Sequence, residues 1–266
     1  MDLKKLFTGL LLIFLWVPAA AQRLAIMGAM DPEISILMDA LEKPKVTTIG
    51  GIDFYTGKLN RKKVVLVKAG IGKVNAAYST AVLTQNFKLD GLIFTGVAGG
   101  LHPDAMPGDI VIGSALVQAD FGLLDSEGFT PWNFRNLSGE THPELFVYAD
   151  SSLVQLSLQA SELVDFQPVS TRPPRVLQGV ISTSDLFVSD PVKANWLYTE
   201  FNSLATEMEG AAVAHICRLL ELPFVVIRSC SDNANTDASI DFAEFVGPAA
   251  ANSASLVLGM LELMQD

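Results

Sequence analysis

The 266-residue chain has little of what builds metal centres, disulfide scaffolds or nucleic-acid clamps. It holds two cysteines and three histidines, and they do not stand at the close spacings a zinc site requires. Lys and Arg number 18 against 29 Asp and Glu, a formal charge of -11. Such a surface repels phosphate backbones and argues against nucleic-acid polymers, while leaving small ligands open. Charged residues make up 18% of the chain and hydrophobic ones 50%, which excludes a disordered chain. Internal repeats and low-complexity tracts are also missing. What remains is a globular domain with no metal and no cofactor expected.

The first residues read as an address. Lys4 and Lys5 precede an apolar run from Leu6 to Val17, then Pro18 and Ala19-Ala20-Ala21, the pattern of a secretory signal cut after Ala21. About twelve apolar residues fall short of the roughly twenty that span a bilayer. The expectation is therefore a cleaved signal over residues 1–21, an exported protein in the periplasm or outside the cell, and no stable membrane anchor after processing. An oxidising compartment would allow Cys217 and Cys230 to pair. Cys217 sits in an apolar helical pattern and Cys230 ends an apolar strand-like run, so two buried free thiols are expected.

Residues 22–266 read as one domain. Short Val- and Ile-rich runs at Leu24–Met27, Val64–Val67, Leu92–Phe94, Ile110–Ile112, Val176–Ile181 and Phe224–Ile227 alternate with helical patterns at Pro32–Leu41, Val74–Phe87, Pro143–Leu163, Gly210–Leu220 and Phe242–Leu263. That alternation predicts an α/β fold with a largely parallel central sheet flanked by helices. Strand-like runs follow one another without a helix in Gly51–Ala69 and from Asp109 to about Phe121, so the sheet is expected to be mixed. Leu123–His142 reads as a long loop, a kind that is more often functional than idle.

Several motifs gather at predicted strand ends, where open α/β sheets bind ligands. Met27-Gly28-Ala29-Met30 passes into Asp31-Pro32-Glu33; Asp31 suits an N-cap and Pro32 the first helical position, leaving Glu33 in the first turn. Alone, Glu33 needs no role beyond complementing the helix dipole. Gly-rich turns follow at Ala69–Asn75 and Thr95–Gly100. Neither has dinucleotide or P-loop spacing, and tight strand-to-helix turns use Gly regardless of function. Glu207 and Glu209 open a helix that is apolar almost all round, where carboxylates are costly unless paired. Arg228 and Asp232 leave the end of the apolar strand Pro223–Ile227. An internal Arg-to-carboxylate pair would satisfy these charges without a ligand.

Taken together, MGAMDPE, AGIGKVNAA, TGVAGGL, GDIVIG, STSDLFV, TEMEGAAVAHIC and PFVVIRSCSDNAN resemble the purine nucleoside phosphorylase and uridine phosphorylase superfamily. Within it, the chain looks most like the methylthioadenosine/S-adenosylhomocysteine nucleosidases. The resemblance runs from about Leu24 to the C-terminus and is weakest between Leu123 and Arg175. It implies the nucleoside phosphorylase-like three-layer fold and hydrolysis of the N-glycosidic bond of adenine nucleosides. On this resemblance Glu33 is the base that activates water and Asp232 the acid that protonates the purine. Glu209 would bind the ribose hydroxyls with Met208 beside the sugar. Phe187 would stack on the purine and the Val188 backbone would read its edge. Ser231 would orient Asp232, Arg228 would help hold the water and Glu33, and Phe242 would close over the 5′ substituent. A homodimer whose partner helps close the pocket is implied as well.

Two departures from the family pattern stand out. Val97 occupies a position where a small hydroxyl residue is frequent, removing a hydrogen bond near the water or ribose. The Leu123–His142 loop, in a region that shapes the 5′ pocket in many members, somewhat resembles plant bark storage relatives. A phosphorylase remains an alternative, although phosphate needs cationic or dense backbone donors and family phosphorylases carry Arg where this chain has MGAMDPE. A non-catalytic nucleoside-binding or storage protein on the same scaffold is the other alternative, opposed by the joint presence of Glu33, Glu209 and Asp232.

Overall fold

The computed structural model describes residues 23–264 except residue 236; the expected signal lies outside the described residues. The elements run β1 (Arg23–Gly28), α1 (Asp31–Asp39), β2 (Glu42–Ile49), β3 (Ile52–Leu59), β4 (Lys62–Lys68), α2 (Lys73–Asn86), β5 (Leu89–Gly100), β6 (Ile110–Gln118) and β7 (Gly122–Asp125). They continue with β8 (Gly128–Pro131), β9 (Val147–Tyr148), α3 (Ser151–Ser161), β10 (Val176–Thr183), α4 (Pro191–Phe201), β11 (Ser203–Glu207), α5 (Gly210–Leu219), β12 (Phe224–Asp232) and α6 (Ala238–Leu263).

The central sheet has the order β11-β10-β6-β12-β5-β1-β4-β3-β2. β1 pairs in parallel with β4 and β5, and β12 with β5, whereas β3–β4 and β12–β6 are antiparallel. The mixed sheet predicted from the uninterrupted strand runs is therefore present. An additional antiparallel pairing of β11 with β5 joins one end of the strand order back to its middle.

Alternation along the inner strands divides the core into two layers. Ala25 and Met27 of β1, with Val65 and Val67 of β4, pack on the side of Ala76 and Leu83 from α2 and Ala211–Ala214 from α5. Leu24, Ile26, Val64 and Leu66 face Ile34 and Leu37 of α1, Val154 of α3 and Leu256, Val257 and Met260 of α6. Successive strand residues point to opposite faces, and a sheet covered on both faces has strands apolar throughout. That is why these strands read as continuous Val/Ile/Leu runs.

The structure adds β2, β9, α4 and β11 to the expected elements and differs from the sequence expectation in three further places. The helix expected over Pro143–Leu163 is α3 alone, because Asp150 accepts hydrogen bonds from the Ser152 and Leu153 amides, both at 3.0 Å, and caps it there. Met30, not Asp31, is the N-cap of α1, with Asp31 and Pro32 inside its first turn. Leu123–His142 is not a plain loop, since β7 and β8 form a hairpin within it. Cys217 and Cys230 are buried free thiols; burial pushes their pKa values up, to about 12 for Cys217.

Candidate active site

A cleft opens beyond the carboxyl ends of β1, β5, β10 and β12, the edge at which open α/β sheets bind ligands. Nine of the sequence-derived candidates line it: Glu33, Val97, Phe187, Val188, Met208, Glu209, Ser231, Asp232 and Phe242. Arg228 is absent from the lining and buried at 1% exposure.

Glu33 is held by three backbone amides. Ala29 and Met30 donate to Oε2 at 2.6 and 2.8 Å, and Val97 donates to Oε1 at 2.9 Å. The Met30 bond is the reciprocal half of a capping box, in which an N3 glutamate returns to the N-cap amide. Helix capping and site geometry are therefore served by one side chain. Burial raises the Glu33 pKa, opposed by the charge of Arg228 and by the three amides.

Asp232 ends β12 at a bulge. Arg228, Ser229 and Cys230 pair in step with Gly96, Val97 and Ala98, but the register shifts so that Asp232, not Ser231, stands opposite Gly99. Bulges of this kind re-aim a side chain. Ser231 Oγ donates to Asp232 Oδ2 at 2.9 Å, and the Ala234 amide donates to Oδ1 at 2.8 Å. Burial raises the Asp232 pKa and the charge of Asp241 adds to the rise, while those two hydrogen bonds oppose it.

The glycines of β5 have a purpose that their motif did not disclose. A Cβ on Gly96 would lie 2.5 Å from Glu33 Oε1, and one on Gly99 would lie 2.8 Å from Asp232 Oδ1. β5 runs through this segment as a strand, so these glycines make room for carboxylates. With a strand rise near 3.3 Å per residue, the two places are about 10 Å apart.

The acidic pair opening α5 divides its work. Glu207 accepts from Arg228 Nη2 at 2.6 Å, from the Thr183 hydroxyl, and from the Gly210 amide at 2.7 Å to Oε2. Arg228 also donates to the Phe94 and Ile227 carbonyls and lies over the Phe94 ring. The carboxylate that Arg228 hydrogen-bonds is Glu207, and it acts on Glu33 through its charge. The alternative of an internal ion pair describes Glu207. Glu209 instead accepts from the Gly72 amide at 2.8 Å. Burial, with the neighbouring Glu207 charge adding to it, pushes the Glu209 pKa up to about 8.

Apolar groups complete the walls. Phe187 and Phe242 meet edge to face at 5.7 Å, and Phe187 remains 48% exposed. Val97 packs with Ala249 and Ala250 of α6 alongside Met30, Phe242 and Val246. Its amide serves Glu33, and an apolar side chain suits that environment. No residue of Leu123–His142 lines the cleft; Phe134 of that segment stacks on His142 and meets His215 of α5. Sequence reading did not assign Ile71, Leu186 or Thr206, which also line the cleft. Each lies inside a quoted motif, AGIGKVNAA, STSDLFV and TEMEGAAVAHIC respectively, which was the available signal.

Four carboxyl residues and two hydroxyl residues line this cleft, and among the described residues no Lys, Arg or His lines it. Buried carboxyls with raised pKa values at the ends of parallel strands mark an enzyme doing acid–base chemistry on a small molecule. The chain belongs to the phosphorylase superfamily, whose family model matches residues 23–262. A relative from Shewanella pealeana, a 5′-methylthioadenosine/S-adenosylhomocysteine nucleosidase, is 38% identical over 90% of this chain and 99% of its own length. The Neisseria meningitidis enzyme of that name, solved with methylthio-immucillin-A, matches with TM-score 0.79 and 34% identity over 91% of this chain and all of that one. A futalosine hydrolase from Helicobacter pylori matches at TM-score 0.75 and 27% identity, over 92% of this chain and 99% of that one.

Proposed function

We propose that the chain is a nucleosidase that hydrolyses the N-glycosidic bond of adenine nucleosides, preferentially 5′-methylthioadenosine and S-adenosylhomocysteine, and releases adenine. The observation that carries water as the nucleophile is the cation-free lining of the cleft. A phosphate dianion would find no free cationic side chain among the residues lining the cleft, and Arg228 is already engaged by Glu207.

Cleavage builds positive charge on the ribosyl carbon and negative charge on the departing base. Glu33, fixed by three amides, takes a proton from the attacking water. Asp232, its pKa raised by burial, gives one to the purine. Glu209 has Oε1 on the Gly72 amide, leaving Oε2 for the ribose hydroxyls, with Met208 beside the sugar. Phe187 offers its exposed face to the purine, the Val188 backbone reads the purine edge, and Ser231 orients Asp232. Phe242 closes over the 5′ substituent.

We further propose a homodimer and an exported, periplasmic or secreted protein. Exposed Ile71 at the cleft mouth and exposed Val74 and Tyr78 on α2 support a partner docking there. The Lys4-Lys5, apolar, Ala-rich leader supports export.

The test is purified mature protein incubated with methylthioadenosine, S-adenosylhomocysteine, adenosine and inosine, with and without phosphate. Free sugar released without phosphate is expected; product formed only with phosphate, as a sugar 1-phosphate, refutes hydrolysis. Asp232→Asn is expected to lower kcat on adenine nucleosides by at least ~100-fold with binding retained. A near wild-type rate removes Asp232 as the acid.

A further inference from the structure

Glu209 takes its Gly72 hydrogen bond from the very start of α2, where Gly72 is the N-cap, at φ +91, and makes no side-chain cap of its own. The next amide, of Lys73, donates at 2.8 Å to Asp185 Oδ1, a side chain from the segment after β10. Asp185 thus caps α2 across 112 residues of sequence, and its charge suits the positive end of the helix. A third segment, after β6, ties these two together. Asp120 Oδ1 accepts from Lys73 Nζ at 2.5 Å, and Asp120 Oδ2 accepts from the Asp185 amide at 2.9 Å. Lys73 and Asp120 are largely covered, at 19% and 26% side-chain exposure.

Both ends of this clamp reach the cleft. On one side the Gly72 amide holds Glu209. On the other, Asp185 leads directly into Leu186, Phe187 and Val188, which also line the cleft. The fit is close: a Cβ on Gly72 would lie 3.2 Å from Asp185 Oδ1, so little slack separates the two segments.

We propose that Asp185, braced by Lys73 and Asp120, is a positioning residue that sets the Glu209 carboxylate against the ribose hydroxyls. The inference rests on Glu209 binding the ribose hydroxyls. Asp185 touches no substrate; it acts through the Lys73 and Gly72 amides.

The test compares an adenine ribonucleoside with its 2′,3′-dideoxy congener, which offers Glu209 no hydroxyls. A shifted charge-assisted hydrogen bond and a modest misplacement are together expected to cost Asp185→Ala roughly 10-fold in kcat/KM on the ribonucleoside. The dideoxy congener should change about 2-fold or less, so the ratio between substrates falls. Asp185→Asn, which keeps an acceptor for the Lys73 amide, is expected to recover most of the ratio. Equal losses on both substrates, or an unchanged ratio, overturn the proposal. Should Asp185→Ala fail to fold, Asp185→Glu displaces the acceptor by one methylene and is judged by the same ratio. Glu209→Ala separates the two ideas. If it leaves the ratio intact, the ribose role of Glu209 fails; if it collapses the ratio while the Asp185 variants do not, the clamp fails.

Discussion

Glu209→Gln is expected to stabilise the free protein at neutral and alkaline pH while impairing catalysis. Burial, with the Glu207 charge adding to it, raises the Glu209 carboxyl from 4.5 to about 8. A carboxyl with a raised folded-state pKa contributes stability that is fully present below about pH 4.5 and lost as pH rises through about 8. Over that window the native state binds more protons than the unfolded chain, so the slope is negative, at most about 1.4 kcal/mol per pH unit. The full shift corresponds to roughly 5 kcal/mol. Gln keeps an acceptor for the Gly72 amide and has nothing to ionise in either state. Glu33 and Asp232 also have raised pKa values, but both proteins retain them, so they largely cancel in the difference. Urea unfolding of wild type and variant at pH 5, 6, 7 and 8 should therefore show the variant gaining progressively, by about 3 kcal/mol across the series. A difference that stays constant with pH would refute the reasoning, because the buried Glu209 charge would then carry no penalty.

Gly96→Ala should lower kcat/KM by about 100-fold with the fold intact, because the added Cβ would lie 2.5 Å from Glu33 Oε1 and 3.3 Å from Arg228 Nη1. Steady-state kinetics beside a thermal melt check this, and an alanine variant at wild-type rate would show that Glu33 has room to move. Glu207→Gln should destabilise the protein by about 3 kcal/mol, since it leaves a buried Arg228 without its carboxylate. Urea denaturation measures the loss, and a change below about 1 kcal/mol would indicate that the guanidinium is satisfied by its carbonyl partners and the Phe94 ring.

Much of the fold was legible because apolar runs in buried strands differ from amphipathic helices in period and length. The sequence placed β1, β4, β5, β6, β10 and β12 and their mixed pairing. It missed β2, α4 and β11, and also the β7–β8 hairpin, whose strands are four residues each and have no buried residue, too short a run to register as a strand pattern. Its helix over Pro143–Leu163 began too early because the Asp150 cap is a local hydrogen-bonding choice that apolar periodicity does not register.

The same division runs through the site. Sequence alone determined which carboxyls stand at strand and helix ends, because Glu33, Glu209 and Asp232 are placed by their own local elements. Tertiary structure decided their partners. Arg228 lies 21 residues from Glu207 and 195 from Glu33, and the pairing of both β11 and β12 with β5 brings it to Glu207. The bulge that sets Asp232 opposite Gly99, the use of Gly96 and Gly99 as space for carboxylates, and the clamp of Lys73, Asp120 and Asp185 were likewise hidden. Each depends on register and on loops meeting across the sheet, and residue spacing along a chain fixes neither. A side chain's type and local element are written in its neighbours, whereas its hydrogen-bond partner is set by which strands lie side by side.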